Sequence, residues 1–230
     1  MKKQIVSAAR AFLPLSVRNA LWFYILTPLQ RCVVAPALMR RNRSKTVRYL
    51  EIGPGRERVP NFETLNVVGG LQVDYIANAS EHVPFPDNTF DVIFASHVLE
   101  HVPWYATRST LSEWIRTLKS GGRLEIWVPD GELLCQFILD HSRGVKNDAH
   151  LDGWNLKNPT SDPFLWANGR LFYGANDFYP SWHQAIFTAA SLQQIFRELG
   201  LVDVRHVDES EYRGGANHGP INLGVFGTKP

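Results

Sequence analysis

The chain has 230 residues, of which 44% are hydrophobic and 20% charged, a composition that excludes a disordered or fibrous protein and allows a full hydrophobic core. The net charge of +2 hides an uneven distribution, because residues 1–50 carry ten basic and no acidic side chains whereas the rest of the chain is acidic. The two cysteines, Cys32 and Cys135, are far apart and give no support for a disulfide framework or a zinc site, so a reducing compartment fits best.

Residues 1–46 form a basic arm ahead of the predicted domain, which spans residues 47–230. Residues 20–39 are largely apolar, but Pro28 and Arg31 interrupt them, so we do not expect a membrane-spanning helix. Aromatic side chains beside basic ones suit a helix that lies on an anionic membrane surface. The sequence leaves open the alternative that the arm packs on its own domain or on a second subunit of a homodimer.

The first residues make a poor secretory signal, because Arg10, Pro14 and Arg18 interrupt any apolar region. We therefore expect a cytoplasmic protein, which is peripheral on the inner face of the membrane if the arm binds lipid. Nucleic acid is not an expected partner, because the domain that follows the arm is acidic and would repel phosphates.

Beyond the arm, short apolar runs alternate with amphipathic helical patterns, which indicates an α/β domain whose sheet is covered on both faces. One helix is predicted over 111–118, closed by Gly121 and Gly122, and another runs from Thr188 to Gly200. The first two strands are so close in sequence that the helix between them must be reduced to a turn or absent. The predicted strands are 47–52, 64–68, 73–77, 91–96, 124–128, 201–207 and 221–227.

The segment at about 141–185 differs from the rest of the domain, since it is rich in glycine, asparagine, proline and aromatic residues and has weak periodicity. Long irregular segments inside a compact domain are often lids or binding loops. Aromatic faces in such a lid would suit a sugar acceptor. A loop packed by its own aromatic residues explains the composition equally well.

The stretch from Tyr49 to Gly55 is the most informative one in the chain. An apolar strand ends there in Glu51 and then bends at Gly53 and Gly55. Such a bend lets backbone N–H groups approach a ligand that a Cβ would keep away. Taken alone the pattern is weak, because many tight turns share it.

Three further segments make the pattern at the bend more specific. Leu-Glu-Ile-Gly-Pro-Gly at 50–55 is followed by Val-Pro-Phe-Pro-Asp-Asn-Thr-Phe-Asp-Val-Ile at 83–93, by His-Val-Leu-Glu-His at 97–101 and by Leu-Lys-Ser-Gly-Gly-Arg-Leu at 118–124. Together they resemble the class I S-adenosylmethionine-dependent methyltransferases, in particular the type 11-like branch associated with surface-polysaccharide biosynthesis. The resemblance covers about residues 47–228. It implies a Rossmann-like fold with a mostly parallel seven-stranded sheet, an antiparallel last strand and a shortened first helix.

The resemblance also implies S-adenosylmethionine as the cofactor. It assigns the methionine end of the cofactor to Glu51, Gly53 and Gly55, and the adenosine end to Asn66 and Asn78. It further assigns to the cofactor site Ala79, Ser96 and His97.

Two positions depart from the family pattern. Where the family commonly has an acidic residue for the ribose hydroxyls, this chain has Val68, and where it has an acid near the adenine, this chain has Asn78. An amide oxygen can still accept a hydrogen bond from the adenine amino group, but Val68 leaves the ribose without its usual partner.

His97, Glu100 and His101 lie at positions i, i+3 and i+4, which would place them on one face if this segment is helical. The set could bind a metal, form a hydrogen-bonded rim or supply a general base. We assign no metal ligands, because no further ligand is evident nearby in the sequence. Histidine has a pKa suited to a general base, and we predict His183 in this role, with His101 as the next choice and a purely structural role as the alternative for both.

The predicted function is therefore methyl transfer from S-adenosylmethionine to an oxygen of a glycan or a lipid-linked sugar. The acceptor class comes from the resemblance and from the basic, aromatic arm. The alternative is a catalytically weak or inactive methyltransferase-like subunit that binds or scaffolds, because fold alone does not guarantee activity and the adenosine end is altered.

Overall fold

A computed structural model describes residues 17, 21–55, 57–146, 162–173, 182–214 and 221–230. Its centre is a seven-stranded sheet with the strand order β3-β2-β1-β4-β5-β7-β6. β1 to β5 pair in parallel where they are neighbours, and β7 runs antiparallel to both β5 and β6. This topology confirms the predicted Rossmann-like fold with an antiparallel last strand. The strands are β1 Tyr49–Ile52, β2 Glu63–Asn66, β3 Tyr75–Ile76, β4 Phe90–Ser96, β5 Leu118–Pro129, β6 Val202–Val207 and β7 Asn222–Thr228.

In the described part of the domain the α-helices are α1 Thr107–Thr117, α2 Gly131–Ser142, α3 Pro163–Leu171 and α4 Ala189–Glu198. Asp130 and Asp162 cap α2 and α3 through their carboxylates, and Thr188 caps α4 as predicted. The prediction that Gly121 and Gly122 close α1 is wrong. That helix ends at Thr117, and both glycines lie in the irregular first part of β5.

The connection between β1 and β2 contains no helix among its described residues, which are 53–55 and 57–62. This confirms the predicted loss of the first helix. The central strands are buried on both faces. On one face Ile93 of β4 belongs to the same core cluster as Trp114 of α1 and Phe196 of α4, and on the other face Phe94 clusters with Phe62 and Trp127. The predicted lid at about 141–185 falls largely outside the described residues, which there include α3.

The arm is helical through the described part of the chain and consists of the consecutive segments Trp22–Leu26, Thr27–Leu29, Gln30–Val34 and Ala35–Asn42, together called the arm helix. Its inner face packs on the domain. The amide Nδ2 of Asn42 donates to the hydroxyl of Tyr75, 3.1 Å away, and Nε2 of Gln30 donates to the carbonyls of Gly70 and Val73. Of the alternatives for the arm, packing on its own domain is therefore observed for one face of the arm helix. No helix among the described residues has the length and apolar character that crossing a bilayer requires.

A buried charge pair joins the first strands. Arg48, just before β1, donates from Nε and Nη2 to the two carboxylate oxygens of Glu63 at 2.8 and 2.9 Å. The hydroxyl of Tyr75 donates to the same carboxylate at 2.6 Å. Burial alone would raise the pKa of Glu63, but the hydrogen bonds from Arg48 and Tyr75 outweigh it and hold that pKa below its ordinary value of 4.5.

We expect Glu63→Gln to lower the free energy of unfolding by about 3 kcal/mol, because the guanidinium of Arg48 then stays buried without its counter-charge. Urea denaturation followed by circular dichroism measures the change. Glu132→Gln, on the exposed first turn of α2, is the matched control and should shift the free energy by less than about 0.5 kcal/mol.

The same pair predicts a pH dependence. Because the pKa of Glu63 is lower in the folded chain than in the unfolded one, its contribution is fully present above pH 4.5 and is lost as the pH falls through the folded pKa. The stability difference between the wild type and Glu63→Gln should therefore shrink below pH 4.5. A difference that stays constant down to pH 3 would contradict this assignment.

Candidate functional site

A cleft of about 220 Å³ opens at the carboxyl ends of β1, β2 and β4. Ligands of open α/β sheets bind at this edge, where loops that follow the strands converge. Of the predicted site residues, six line the cleft: Gly53, Asn66, Asn78, Ala79, His97 and His101. Glu51, Gly55, Ser96 and His183 are not among its described lining residues.

Gly53 forms the part of the wall that only a glycine can form. Its φ is +70°, and its N–H donates to the carbonyl of Leu65 at 2.8 Å. A Cβ built here would lie 2.3 Å from Cγ2 of Val98. The absence of a side chain therefore keeps the backbone of the bend open to the cleft. Gly55 is exposed and has no neighbour within 4 Å of such a Cβ, so it carries no comparable constraint.

Glu51 lies behind the bend. Its side chain is buried, and its Oε2 accepts a hydrogen bond from the backbone N–H of Val59 at 2.8 Å. Burial is the main reason that the pKa of Glu51 is raised. The carboxylate holds the loop that follows the bend, and its predicted contact with the methionine end of the cofactor stays a prediction.

The adenosine end of the predicted site is lined by amides. Oδ1 of Asn66 accepts from the N–H of Val67 at 2.9 Å. Oδ1 of Asn78 accepts from the N–H and the hydroxyl of Ser80 at 3.1 and 2.8 Å, so it already holds a turn. The carboxylate of Asp74 does not replace the missing ribose ligand, because Arg58 and a backbone N–H of β2 occupy it.

Ser96 and His97 end β4 at the cleft edge. The Ser96 hydroxyl is hydrogen-bonded to the hydroxyl of Tyr212 at 2.7 Å, behind the cleft. His97 has a φ of +54°, which is uncommon for a residue with a Cβ and is typical of functional turns. Its Nδ1 lies 3.1 Å from Oε1 of Glu100, and its Nε2 lies 2.9 Å from Oδ1 of Asn222.

The helical conformation under which His97, Glu100 and His101 would share one face is not adopted by residues 97–101. The segment after β4 forms only a short 3₁₀ turn, Leu99–His101, and His97 lies before it in the left-handed conformation. Glu100 therefore turns inward, where it is 1% exposed, while His101 lines the cleft.

His183 comes from a segment about eighty residues later in the chain and reaches the same place. The carbonyl of Glu100 accepts from the N–H groups of Gln184 and Ala185 at 2.7 and 3.2 Å, which ties the two segments together. The rings of His101 and His183 are 4.9 Å apart between centroids. Nε2 of His183 lies 3.9 Å from Oε1 of Glu100. The structure thus brings both predicted bases to one carboxylate.

Backbone carbonyls fix the tautomers of the two histidines. Nδ1 of His183 lies 2.8 Å from the carbonyl of Arg170, and Nδ1 of His101 lies 3.0 Å from the carbonyl of Trp182. A carbonyl only accepts, so each Nδ1 carries the proton and each neutral ring has its lone pair on Nε2. Burial lowers the pKa of His183 to about 4, so this ring is neutral at physiological pH.

Glu100 is ionised beside them. Burial alone would raise its pKa, but the hydrogen bond with His97 and the nearby imidazoles outweigh burial and lower that pKa. The site therefore combines one buried carboxylate with two imidazole lone pairs next to a cleft.

Sequence reasoning missed Val98 and Gln184. Val98 is the residue that leaves no room for a Cβ at position 53, so it makes glycine necessary in the bend. The side chain of Gln184 donates to the carbonyl of His101 at 2.8 Å. The position of Val98 one residue after His97 was a usable signal. Nothing in the sequence marks Gln184, because its partner lies 83 residues away.

S-adenosylmethionine fits the cleft at its methionine end, where a Cβ on Gly53 would close the space beside Val98. At the adenosine end, the described lining residues offer amides and no carboxylate. The chain would hold the cofactor through the backbone of the bend and through Asn66 and Asn78.

We expect Gly53→Ala to weaken the binding of S-adenosylmethionine at least tenfold, because the new Cβ clashes with Val98 and strains the bend. Isothermal titration calorimetry measures the affinity. Gly121→Ala is the control. Gly121 has a similar φ of +75° but lies near the amino end of β5, where a Cβ would have no neighbour within 4 Å. Equal affinities in both variants and the wild type would show that the bend is not a cofactor wall.

Residues 34–126 match the model of a protein family described as a methyltransferase domain. The matched stretch includes the bend at Gly53, the turn with His97 and His101, and most of the cleft. This match, over 93 of the 230 residues, agrees with the expected methyltransferase domain, and the polysaccharide-biosynthesis branch stays a prediction.

Curated relatives match shorter stretches. An uncharacterised protein of Methanocaldococcus jannaschii is 33% identical over 90 residues, which are 36% of this chain and 39% of that protein. The ubiquinone/menaquinone biosynthesis C-methyltransferase UbiE of Salmonella arizonae is 41% identical over 70 residues, 30% of this chain and 25% of UbiE. The chain thus spans well under half the length of these relatives.

Among solved structures, a possible histamine N-methyltransferase from Thermotoga maritima, described as S-adenosylmethionine-dependent, covers 92% of this chain and 96% of its own. It is 18% identical, with a TM-score of 0.48. A second S-adenosylmethionine-dependent methyltransferase, from Archaeoglobus fulgidus, covers 90% of this chain and 100% of its own at 16% identity and a TM-score of 0.47. The strand order is the one expected for a Rossmann-like methyltransferase fold, and residues 34–126 match the methyltransferase domain model.

Proposed function

We propose that this protein transfers the methyl group of S-adenosylmethionine to a hydroxyl oxygen of a glycan or a lipid-linked sugar. The observation that carries the proposal is the pair of imidazole lone pairs, on His101 and His183, held by a buried carboxylate at the edge of the predicted cofactor cleft. A sugar hydroxyl must lose its proton as its oxygen forms the new bond, and this pair can take it.

S-adenosylmethionine supplies the activated methyl group when it is bound. His183, the base predicted from the sequence, accepts the hydroxyl proton at Nε2. Burial lowers the pKa of His183 to about 4 and makes it a weaker base, and the carboxylate of Glu100 opposes this effect by stabilising the imidazolium that results. His101 lines the cleft and is the second acceptor for that proton. The walls of the cleft align the acceptor oxygen with the methyl group, which accounts for much of the rate gain in such displacements.

Two exposed aromatic side chains favour a sugar as acceptor. Trp104 and Tyr105 follow His101 closely in the chain, and they are 73% and 74% exposed. Their ring centroids are 5.7 Å apart. Exposed aromatic faces are costly to leave in water and provide flat apolar surfaces on which a sugar ring can stack.

The arm helix favours an acceptor at a membrane. Its outer face exposes Tyr24, Ile25, Leu29 and Val33, with Tyr24 82% exposed. The arm helix carries no acidic residue, and its exposed arginines would contact anionic headgroups. Binding through this face on the inner side of the cytoplasmic membrane would bring a lipid-linked acceptor to the cleft, because the arm contacts the loop that follows β2.

A binding or scaffold subunit is the second candidate. It is favoured by the amide-only adenosine end, where Val68 and Asn78 stand in place of acids. Calorimetry separates the two candidates, because a subunit that has lost the cofactor shows no heat of binding at millimolar S-adenosylmethionine.

We expect His183→Ala to lower the turnover number about 10²- to 10⁴-fold, because the acceptor proton loses its base. The affinity for S-adenosylmethionine should change by less than about threefold, since the proposed base acts on the acceptor. Transfer of label from S-adenosylmethionine to a panel of n-octyl glycosides measures turnover. His206→Ala, an exposed histidine of β6, is the control. Label found on carbon or nitrogen of the product would refute oxygen as the target, and full turnover of His183→Ala would refute the base.

A second test addresses the arm. The wild type should float with vesicles that contain 30% phosphatidylserine. The double variant with Ile25→Glu and Leu29→Glu should not float, because two charges then replace apolar contacts with the membrane. Leu139→Glu, an exposed leucine of α2, is the control and should still float. If the double variant instead turns a dimer into a monomer and the wild type does not float, the face is a homodimer contact and the membrane proposal is wrong.

A further inference from the structure

Glu100, His101 and His183 form a compact group of potential metal ligands. Each offers one ligand atom, a carboxylate oxygen or a ring nitrogen, and these three atoms lie within 4.8 Å of one another. They come from two segments that the backbone bonds of Glu100 to Gln184 and Ala185 hold together. The fixed backbone means that only side-chain rotations are needed to bring the atoms to one centre.

The two histidines are prepared as ligands. Each directs its Nδ1–H to a backbone carbonyl, of Arg170 for His183 and of Trp182 for His101. In metal sites the ligating histidine typically donates its other ring N–H to a carbonyl or a carboxylate, which orients the ring. Both Nε2 lone pairs are thereby available to an electrophile.

Glu100 supplies an observation that is independent of the histidines. Its carboxylate is almost fully buried, and among the described residues its Oε2 has no hydrogen-bond partner. A buried anionic oxygen without a partner is costly, so a cation at this position would satisfy it. His97 holds the other oxygen, as an outer residue of a metal site holds a ligating carboxylate.

We propose that Nε2 of His101, Nε2 of His183 and the carboxylate of Glu100 bind a divalent transition-metal ion. Two imidazoles with one carboxylate suit Zn²⁺, Mn²⁺ or Fe²⁺, whereas Mg²⁺ and Ca²⁺ prefer sites made of oxygen alone. Tetrahedral coordination requires about 3.3 Å between ligand atoms at bond lengths of about 2.0–2.1 Å. The ligand atoms lie within 4.8 Å of one another, so side-chain rotation has to bring them closer by up to about 1.5 Å. Three protein ligands leave a coordination position open, and one of these ligands, His101, lines the cleft.

The metal site uses the same lone pair on Nε2 of His183 as the proton transfer proposed above, so a bound ion and a proton compete for it. With the base assigned as above, a bound ion blocks proton transfer. The two proposals therefore succeed or fail separately: binding of the ion needs no acceptor and no turnover.

The test is a titration of the full chain, freed of metal with a chelator, with ZnCl₂ in a calorimeter. We expect one ion per chain and an affinity that Glu100→Gln and His183→Ala each lower at least 100-fold. His101→Ala is the variant that keeps the test valid if the buried changes disturb folding, because His101 is only half-buried. His206→Ala, on the exposed face of β6, should bind zinc like the wild type.

The visible absorption spectrum of Co²⁺, bound in place of Zn²⁺, reports the coordination geometry of the site. This absorption should appear at one equivalent in the wild type and vanish in His101→Ala. Zinc that binds equally well to the wild type and all three ligand variants, or no saturable binding at micromolar zinc, would overturn the metal site and leave the base proposal intact. Turnover that requires zinc would support the metal site and overturn His183 as the base, whereas turnover of the chelated protein that zinc inhibits supports both.

Discussion

The structure of the site depends on one buried residue, Glu100. Its backbone carbonyl accepts two hydrogen bonds from the segment that carries His183, and its carboxylate faces His97 and His183. A buried carboxylate keeps its charge only where donors and cations surround it, so the positions of the neighbouring imidazoles follow from its burial. Glu100 thus ties the segment that carries His183 to the cleft and places its carboxylate beside the imidazoles.

The sheet could be predicted from the sequence, because a strand buried on both faces leaves a continuous apolar run, as residues 92–95 of β4 do. The absence of a helix between β1 and β2 could also be predicted, because too few residues connect these two strands. The end of α1 could not be predicted, because two adjacent glycines are equally suited to stopping a helix and to irregular strand geometry, and pairing with β4 and β7 decides between them.

The site was predictable in its parts and not in its arrangement. The glycine bend and the three histidines are visible in the sequence, but the partner that each one contacts depends on contacts between distant segments. Spacing suggested a helical face for His97 and His101, whereas the strand end forces His97 into a left-handed turn and sends the two rings to different neighbours. Sequence spacing carries no information about such a turn, because it depends on how β4 leaves the sheet.

The hydrogen bonds of Gln30 and Asn42 join the arm helix to the domain that follows it. Residue 47 begins the first strand pattern and looks like the start of a domain, yet Asn42 bonds to Tyr75, and Tyr75 bonds to the carboxylate that neutralises Arg48. The arm helix thus covers an edge of the sheet that would otherwise expose unpaired backbone groups. A shortened version of this protein that starts at residue 46 would lose part of its own core, so any truncation meant to isolate the catalytic unit has to begin before Gln30.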